Sequence, residues 1–203
     1  MRSRARSAVL AVSVTVCLGV AGVAQASAHS SADSAAGPRI IKVASVSQIP
    51  TVSNHAKVVP NAIYQVTMTN NDRGQCLDGD TNTIPNNGAK VQLWGCNGWS
   101  NQTWDWAPAA GYPAGYYSIQ NNDRGECLDG DTNTIPNNGA KVQLWGCNGW
   151  SNQTWAWGGA TLVNADKGEC LDGDTNTIPN NGAKVQLWAC NGWSNQNWTL
   201  HNV

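Results

Sequence analysis

The same small set of polar and aromatic residues recurs three times at fixed spacing in this 203-residue chain. In its first occurrence Asp78 is followed by Gln92 and Trp94, and then by the adjacent pair Asn101 and Gln102. Carboxylates accept hydrogen bonds, side-chain amides accept and donate them, and an indole offers a flat apolar face. A neutral polyol presents hydroxyl groups beside patches of C–H. This combination of side chains therefore suits the recognition of such a molecule.

These residues belong to an internal repeat whose copies occupy residues 70–104, 121–155 and 164–198. The second copy differs from the first only by Glu126 in place of Gln75, and the third differs from the second at Ala165, Lys167, Ala189 and Asn197. Repetition at such a period indicates one structural unit used three times. A unit of about 40 residues cannot bury a core alone, so we expect the copies to share one.

Each copy contains two cysteines separated by 20 residues: Cys76 and Cys96, Cys127 and Cys147, Cys170 and Cys190. Six cysteines can pair in 15 ways, and three equal units most simply close three equal loops within themselves. In the chain-entropy model, a disulfide that closes a loop of this length stabilises the folded protein by about 3 kcal/mol. No Cys-x-x-Cys occurs and His29, His55 and His201 lie outside the copies, so we expect no metal and no cofactor.

Local patterning predicts short β-strands and no helix. Alternating or β-prone runs occur at residues 64–69, 117–120, 91–94 and 103–106. The stretch 78–88 is crowded with Asp, Asn, Gly and Pro, and this composition predicts turn and loop. Four short strands in each copy give twelve in all.

The first 28 residues have the composition of a secretory signal peptide: Arg2, Arg4 and Arg6 precede an apolar stretch, and small residues follow it. We therefore expect a secreted, extracellular protein, and no later segment is apolar enough for a membrane span. Residues 29–62 are Ser/Ala-rich and then Val/Ile-rich, without Cys or Trp. They are interpreted as a linker or pro-segment, partly ordered at most, whose Val/Ile content could pair with a sheet edge.

Charge disfavours nucleic acid as a partner. The chain has 12 basic and 13 acidic residues, and removal of the leader arginines leaves an excess of acidic groups. Sequence-independent nucleic-acid affinity comes from Lys and Arg that neutralise phosphates, and a chain with this charge balance lacks the necessary excess of them.

The succession of C-L-D, a loop of about a dozen residues, Q-L-W, a second Cys and N-Q-x-W resembles the ricin-type β-trefoil lectins, also called carbohydrate-binding module family 13. The resemblance covers residues 63–203, with repeats at 63–106, 116–157 and 160–203. It implies an all-β fold, a β-trefoil with pseudo-threefold symmetry and three repeats of four short strands. It also implies a six-stranded barrel capped by three hairpins, with Trp104, Trp155 and Trp198 in the core.

The resemblance further implies one sugar pocket in each copy. An aspartate there accepts hydrogen bonds from vicinal hydroxyls, a tryptophan stacks on the ring, and amides complete the polar contacts. The matching residues are Asp78, Gln92, Trp94, Asn101 and Gln102; Asp129, Gln143, Trp145, Asn152 and Gln153; and Asp172, Gln186, Trp188, Asn195 and Gln196.

One feature departs from the family pattern: a tryptophan follows the second cysteine of each copy, at Trp99, Trp150 and Trp193. It either forms a second aromatic plate that extends the pocket or packs over the hairpin cap. The sequence leaves both interpretations open.

These observations favour a secreted, non-catalytic, monomeric protein that binds glycans or polysaccharides multivalently, with galactose-, mannose- and xylose-type ligands not distinguished. An enzyme is disfavoured because the copies contain no His and residues 29–62 are too few for a catalytic domain. Two other functions remain: an accessory binding component of a glycoside hydrolase system, and a trefoil used for protein contact, as in an inhibitor or toxin component.

Two structural alternatives compete with a sugar pocket. Asp78 and its equivalents would simply bond turn backbone N–H groups if the copies are alike only through recent duplication. The pattern Asp78, Asp80 and Asn82 also resembles a calcium loop, but its sixth and twelfth positions, Thr83 and Ala89, are not the required Gly and Glu.

Overall fold

The computed structural model describes residues 39–41, 48–52 and 61–203; the predicted leader lies outside them, as does much of the 29–62 segment. The described part consists of short strands, with a 3-10 turn in each copy and no α-helix. The expected all-β class is therefore confirmed. The strands are β1 Arg39–Ile41, β2 Ala62–Asn70, β3 Cys76–Gly79, β4 Ala89–Trp94, β5 Thr103–Pro108, β6 Tyr116–Asn121, β7 Cys127–Gly130, β8 Ala140–Trp145, β9 Thr154–Trp157, β10 Leu162–Asn164, β11 Cys170–Gly173, β12 Ala183–Trp188 and β13 Trp198–Asn202.

Six of these strands form a barrel-like ring. Strands β13, β2, β5, β6, β9 and β10 pair antiparallel in that order. The backbone N–H of Trp198 donates to the carbonyl oxygen of Ala160 at 2.8 Å and so joins β13 to the segment before β10.

The remaining strands of the copies form three hairpins, β3–β4, β7–β8 and β11–β12. Strands β4, β8 and β12 each pair antiparallel with the other two. This closed circuit of equivalent pairings is consistent with the expected threefold arrangement.

The core lies inside this ring of strands. Side chains of β2 alternate between buried and partly exposed, as expected for a strand with one face on a core. The tryptophans of the three N-Q-x-W motifs are 0–1% exposed, and each indole N–H donates to the backbone carbonyl of a leucine in its own hairpin: Trp104 to Leu77, Trp155 to Leu128 and Trp198 to Leu171. The expected core role of these three residues, hereafter the core tryptophans, is confirmed.

Three disulfides join Cys76 to Cys96, Cys127 to Cys147 and Cys170 to Cys190, each with a Cα–Cα distance of 5.1 Å. This is the simplest of the possible pairings, in which each copy closes its own loop. Each bond ties the start of the first hairpin strand to the loop that follows the second, so it fixes that loop close to the hairpin.

The loop predicted at residues 78–88 begins two residues later in the structure, so the prediction is wrong for Asp78 and Gly79. Asp78 and Gly79 belong to β3, where Asp78 pairs with Gln92 of β4. The loop begins at Asp80, whose Oδ1 accepts hydrogen bonds from the backbone and side-chain N–H groups of Asn82. The strand continues through Asp78, whose side chain accepts a hydrogen bond from Gln92 on the opposite strand. The composition of this stretch does not reveal that contact.

Described residues of the 29–62 segment contact the barrel. Strand β1 pairs parallel with the beginning of β2, with Arg39 opposite Ala62 and Ile41 opposite Tyr64. The carbonyl oxygen of the buried Pro50 accepts a hydrogen bond from the Tyr117 hydroxyl at 2.7 Å. Among the described residues there is no helix with the length and apolarity needed to cross a membrane.

Candidate functional site

The hairpin positions the first two polar residues of each predicted site. Asp78 on β3 lies opposite Gln92 on β4, and the Gln92 Nε2 atom donates to Asp78 Oδ1 at 3.0 Å. The second and third copies repeat this contact at 3.1 and 3.0 Å. The hairpin register therefore fixes one carboxylate oxygen in all three copies.

The 3-10 turn of each copy fixes the other carboxylate oxygen. Asn101 and Gln102 lie in the turn Ser100–Gln102, and their side-chain amides both donate to Asp78 Oδ2 at 2.8 Å. The equivalent distances are 2.8–2.9 Å in the second copy and 2.8–3.0 Å in the third. Hydrogen bonds to a charged acceptor are among the stronger ones, so the aspartate is held firmly in one orientation.

The glutamine of the turn lies beneath the site and not in it. The Gln102 side chain is 0% exposed, its Nε2 atom also donates to the carbonyl oxygen of Gly95, and its Oε1 atom accepts the backbone N–H of Asn97. Gln153 and Gln196 make the same contacts. These three predicted binding residues therefore position the site and have no free group for a ligand.

The polar groups with remaining capacity are acceptors. A carboxylate has about four acceptor positions, and the amide donors occupy one on Asp78 Oδ1 and two on Oδ2. The Asn101 Oδ1 atom is buried and has no hydrogen-bond partner in the described part of the chain, and the same is true of Asn195 Oδ1. These amide oxygens are themselves buried, so the spare acceptor position of the aspartate is the candidate partner for a ligand hydroxyl.

The tryptophan at the end of the second hairpin strand presents part of its ring to solvent. Trp94, Trp145 and Trp188, hereafter the floor tryptophans, are 37–39% exposed. They are thus distinct from the core tryptophans, although both follow a glutamine in the repeat. An indole held in this way offers a flat surface against which an apolar ring face can pack.

Each floor tryptophan is backed by a loop from another copy. A Cβ atom added to Gly182 of the third copy would lie 3.8 Å from the ring of Trp94 in the first, and Gly182 has a φ of +86°. The neighbouring Asn181 Oδ1 accepts the backbone N–H of Gly95 at 2.7 Å. Equivalent contacts join the first copy's loop to Trp145 and the second copy's loop to Trp188.

These residues line an open depression in the second copy and another in the third. The depression of the second copy has a volume of about 230 Å³. It is lined by Asp129, Asp131, Thr132, Asn133, Gln143, Trp145, Asn148, Trp150 and Asn152. The nine equivalent residues of the third copy line a depression of about 160 Å³. The first copy has the same polar contacts around Asp78.

The tryptophans after the second cysteine lie on the rim. Trp99, Trp150 and Trp193, hereafter the rim tryptophans, are 63–64% exposed, and two of them line the depressions described above. The sequence did not decide between a second plate and a residue packed over the hairpin cap. Their high exposure argues against the interpretation in which they pack over the hairpin cap. The lining residues of the loop, such as Thr132 and Asn148, were not singled out because every position of near-identical copies looks equally constrained.

Burial raises the pKa values of Asp78, Asp129 and Asp172 above the ordinary range for aspartate. The hydrogen bonds from Gln and Asn amides act in the opposite direction, and the charge of the next aspartate along the loop raises the pKa further. Two carboxylates and no Lys or Arg line each of the two depressions. The local field therefore disfavours an anionic ligand.

The described residues contain no group of three or more His, Cys, Asp or Glu side chains arranged to hold a metal ion. In the loop that resembles a calcium site, Asp80 Oδ1 is engaged by Asn82, and both oxygens of Asp78 are engaged by amides. Three of the four carboxylate oxygens of Asp78 and Asp80 thus already accept hydrogen bonds within the protein.

A larger cavity, of about 320 Å³, lies between the described residues of the 29–62 segment and the barrel. Ile49, Trp157 and Leu200 are among its lining residues, and no Asp, Glu, Lys, Arg or His lines it. Its volume exceeds that of either depression, but its polar lining side chains are the uncharged Thr51, Asn71 and Thr199, and the Thr199 hydroxyl donates to Asn71 Oδ1.

Comparisons with known proteins agree with this geometry. The model of the ricin-type beta-trefoil lectin domain matches residues 64–198. The designed threefold-symmetric protein ThreeFoil is 26% identical over 68% of this chain and 99% of its own, with a TM-score of 0.62. An exo-β-1,3-galactanase from Clostridium thermocellum is 25% identical over 73% of this chain, with a TM-score of 0.62, and the match spans 32% of that enzyme.

A third solved structure, the Rhizoctonia solani agglutinin, is 20% identical over 72% of this chain and 99% of its own, with a TM-score of 0.60. At this identity the likeness shows a common fold. No curated protein sequence matches the chain.

Proposed function

Because the chain belongs to the family of ricin-type β-trefoil lectin domains, we propose that it is a secreted, non-catalytic protein that binds uncharged saccharides at three equivalent sites. One observation carries the proposal: an oriented carboxylate with spare acceptor capacity lines the same depression as a partly exposed indole in the second and third copies, and the first copy repeats the polar contacts and the exposed indole. The sites comprise the predicted Asp, Gln, Trp and Asn residues, with the buried glutamines as their support.

The chemistry of a sugar ring matches these groups. Its hydroxyls donate to the free acceptor position of Asp129 and to the Asn152 side chain, while its C–H face packs on Trp145. The carboxylate is already oriented by three amides, so little ordering is required when a ligand binds.

The charge of the site selects uncharged sugars. Asp129 and Asp131 both line the depression of the second copy, without a cation among its lining residues. A uronate, a sialic acid or a sulfated sugar would bring a further negative charge into the same partly buried space. Neutral hexoses, pentoses and their oligomers avoid this repulsion.

Multivalency compensates for weak single sites. A shallow site of this kind binds in the millimolar range, or about −4 kcal/mol. Three sites held on one body in a pseudo-threefold arrangement can engage one branched or polymeric glycan, and linked binding can add about 10² to 10⁴ in avidity. The mutual pairing of β4, β8 and β12 holds the three hairpins, and hence the sites, in fixed relative positions.

The organisation predicted from the sequence is part of the same proposal. Residues 1–28 act as a signal peptide, residues 29–62 as a linker with partial order, and residues 63–203 as a monomeric lectin domain. Three disulfides favour an oxidising, extracellular environment.

A second candidate is an accessory binding component that acts beside a glycoside hydrolase. It is favoured by the likeness to one third of a galactanase. The two candidates differ in the ligand: an accessory module binds the polysaccharide that its partner hydrolyses, whereas a free lectin binds a terminal or branched glycan. If the protein alone released product from a panel of polysaccharides, the non-catalytic assignment would be wrong.

The test is retention on a glycan array and on immobilised polysaccharides. The triple variant Trp94→Ala, Trp145→Ala, Trp188→Ala is expected to lose retention, because it removes the three floor surfaces. A matched triple variant, Arg73→Ala, Arg124→Ala, Lys167→Ala, changes exposed side chains that line neither of the two depressions and is expected to bind normally. Equal retention of both variants, or a protein contact unaffected by free monosaccharide, would overturn the proposal.

A further inference from the structure

We propose that each rim tryptophan is a second stacking surface, so that every site takes two consecutive rings of a neutral oligosaccharide and not a single ring. The rim tryptophans are Trp99, Trp150 and Trp193. This inference rests on the proposed function, in which the floor tryptophan and the aspartate bind the first ring.

The exposure of the rim tryptophans is the first observation. They are 63–64% exposed, against 37–39% for the floor tryptophans. Leaving most of an indole in water is unfavourable, and exposed aromatic residues that lie together, as the rim and floor tryptophans do in two of the copies, commonly mark a binding surface. The same exposure in three copies indicates a repeated feature of the surface.

The loop that carries the rim tryptophan is ordered by hydrogen bonds on both sides of it. The backbone N–H of Trp99 donates to Asn97 Oδ1 at 2.9 Å, and the backbone N–H of Asn97 donates to the buried Gln102 at 2.9 Å. The carbonyl oxygen of Trp99 accepts the backbone N–H of Gln102 at 3.0 Å. Gly98, with a φ of +75°, allows the tight turn between them.

A contact with the following copy holds the end of this loop. Ser100 Oγ donates to Asp123 of the second copy at 2.9 Å, Ser151 to Asp166 of the third copy at 2.8 Å, and Ser194 to Asp72 of the first copy at 2.9 Å. The disulfide at Cys96 holds its beginning. An indole on a loop fixed in this way loses little backbone freedom when a ring stacks on it.

The rim indole lies at the edge of the site that the aspartate and floor tryptophan form. Trp150 and Trp145 line the same depression, together with Asn148, and Trp193 and Trp188 do so in the third copy. These depressions, of about 230 and 160 Å³, are smaller than the roughly 300 Å³ at which pockets for larger ligands begin. In this proposal the first ring occupies the depression, and the large solvent-exposed part of the rim indole, which extends beyond the depression, stacks on the next ring of the chain.

The test measures affinity for three homologous series of probes: galactose, galactobiose and galactotriose; mannose, mannobiose and mannotriose; xylose, xylobiose and xylotriose. In the series that binds, the variant Trp99→Ala, Trp150→Ala, Trp193→Ala is expected to lose about tenfold in affinity for the disaccharide, equivalent to about 1.4 kcal/mol. Its affinity for the monosaccharide is expected to change less than twofold. The trisaccharide is expected to bind the original protein no more than about twofold better than the disaccharide.

The matched control replaces each rim tryptophan by Phe, which keeps a flat ring and is expected to restore most of the lost affinity. If the alanine variant lost affinity equally for the monosaccharide and the disaccharide, the rim tryptophan would contact the first ring. That result would overturn this inference but leave the proposed function intact. Unchanged affinity of the alanine variant for both sugars would also overturn this inference and leave the proposed function intact. If the original protein bound none of these probes and nothing on a glycan array, the proposed function itself would fail, and the inference with it.

Discussion

The side-chain Oδ1 atom of Asn87, in the first copy, accepts a hydrogen bond of 2.7 Å from the backbone N–H of Gly146, in the second copy. Gly146 follows the floor tryptophan Trp145 directly, and a Cβ on Gly88 would lie 3.9 Å from that ring. The loop of one copy therefore positions the stacking surface of another. The same relation links the second copy to the third and the third to the first.

Asn87→Ala is expected to weaken sugar binding at the site of the second copy. The lost hydrogen bond contributes about 0.5–1.5 kcal/mol, which corresponds to a fall in affinity of roughly 2- to 10-fold. The measurement uses a background with Trp94→Ala and Trp188→Ala, in which only the second site remains complete. In that background Asn138→Ala is the matched control, because Asn138 contacts Ala189 of the third copy. Equal effects of the two substitutions would contradict the assignment.

Glu169→Gln is expected to stabilise the fold at neutral pH. Gln75 at the equivalent position donates to the carbonyl oxygen of Asn180 at 3.2 Å, whereas both carboxylate oxygens of the buried Glu169 have no partner in the described part of the chain. Relieving an unsatisfied buried group yields about 1 kcal/mol, or about 2–4 °C in melting temperature for a chain of this size. Thermal unfolding measures the difference, and Gln75→Glu is the reverse control, with the opposite sign expected.

The benefit of Glu169→Gln is expected to vanish in acid. Burial, and then the charge of Asp166, raise the pKa of Glu169, while Lys167 lowers it. With the folded-state pKa above the unfolded one, the contribution of Glu169 to stability is complete below the unfolded pKa and is lost as the pH rises through the folded pKa. A stability difference that stays constant from neutral pH to pH 4 would refute this explanation.

Sugar binding is expected to fall as the pH is lowered, while the fold persists. The pKa values of Asp78, Asp129 and Asp172 are raised above 3.8 by burial, so these side chains become protonated at a higher pH than ordinary aspartates. Protonation removes the charged acceptor that a sugar hydroxyl needs. By linkage, the same raised pKa values make the stability contribution of these groups largest in acid, so binding is lost before the fold. Retention on an immobilised glycan and tryptophan fluorescence, recorded at the same pH values, separate the two effects. Simultaneous loss of both signals would contradict the prediction.

Substitution of a core tryptophan is expected to reduce mainly the stability of the fold, whereas substitution of a floor tryptophan is expected to reduce mainly sugar binding. Trp104→Ala removes a fully buried indole and its hydrogen bond to Leu77, at a cost of about 3–5 kcal/mol. Trp94→Ala removes a partly exposed ring and is expected to shift the melting temperature much less while weakening sugar binding. Unfolding curves and binding of the two variants give the comparison. Loss of stability in Trp94→Ala equal to that in Trp104→Ala would show that the floor tryptophan is a core residue.

The sequence revealed those features that a single copy contains within itself. The disulfide between Cys76 and Cys96 was predicted from the three equal units, and the buried Trp104 and the polar set around Asp78 were predicted from the resemblance to the family. The strand position of Asp78 was missed because loop-forming composition continues across it, and the amides that hold it come from distant positions such as Asn101.

Relations between copies were not predictable in the same way. Near-identical repeats do not reveal which copy supplies the loop that supports a given site, so the contact between Asn87 and Gly146 depended on the three-dimensional arrangement. The same holds for the 29–62 segment, where local composition does not show that Pro50 accepts a hydrogen bond from Tyr117. The buried position of Gln102 was also hidden, because a glutamine can serve a ligand or the protein equally well.

The number of monosaccharides bound by one chain tests the central claim most directly. Isothermal titration with the best monosaccharide from the glycan array is expected to give three equivalent sites per chain, and two after Trp94→Ala, Trp145→Ala or Trp188→Ala alone. A single site per chain, or a stoichiometry that these substitutions leave unchanged, would contradict the account of three equivalent saccharide sites.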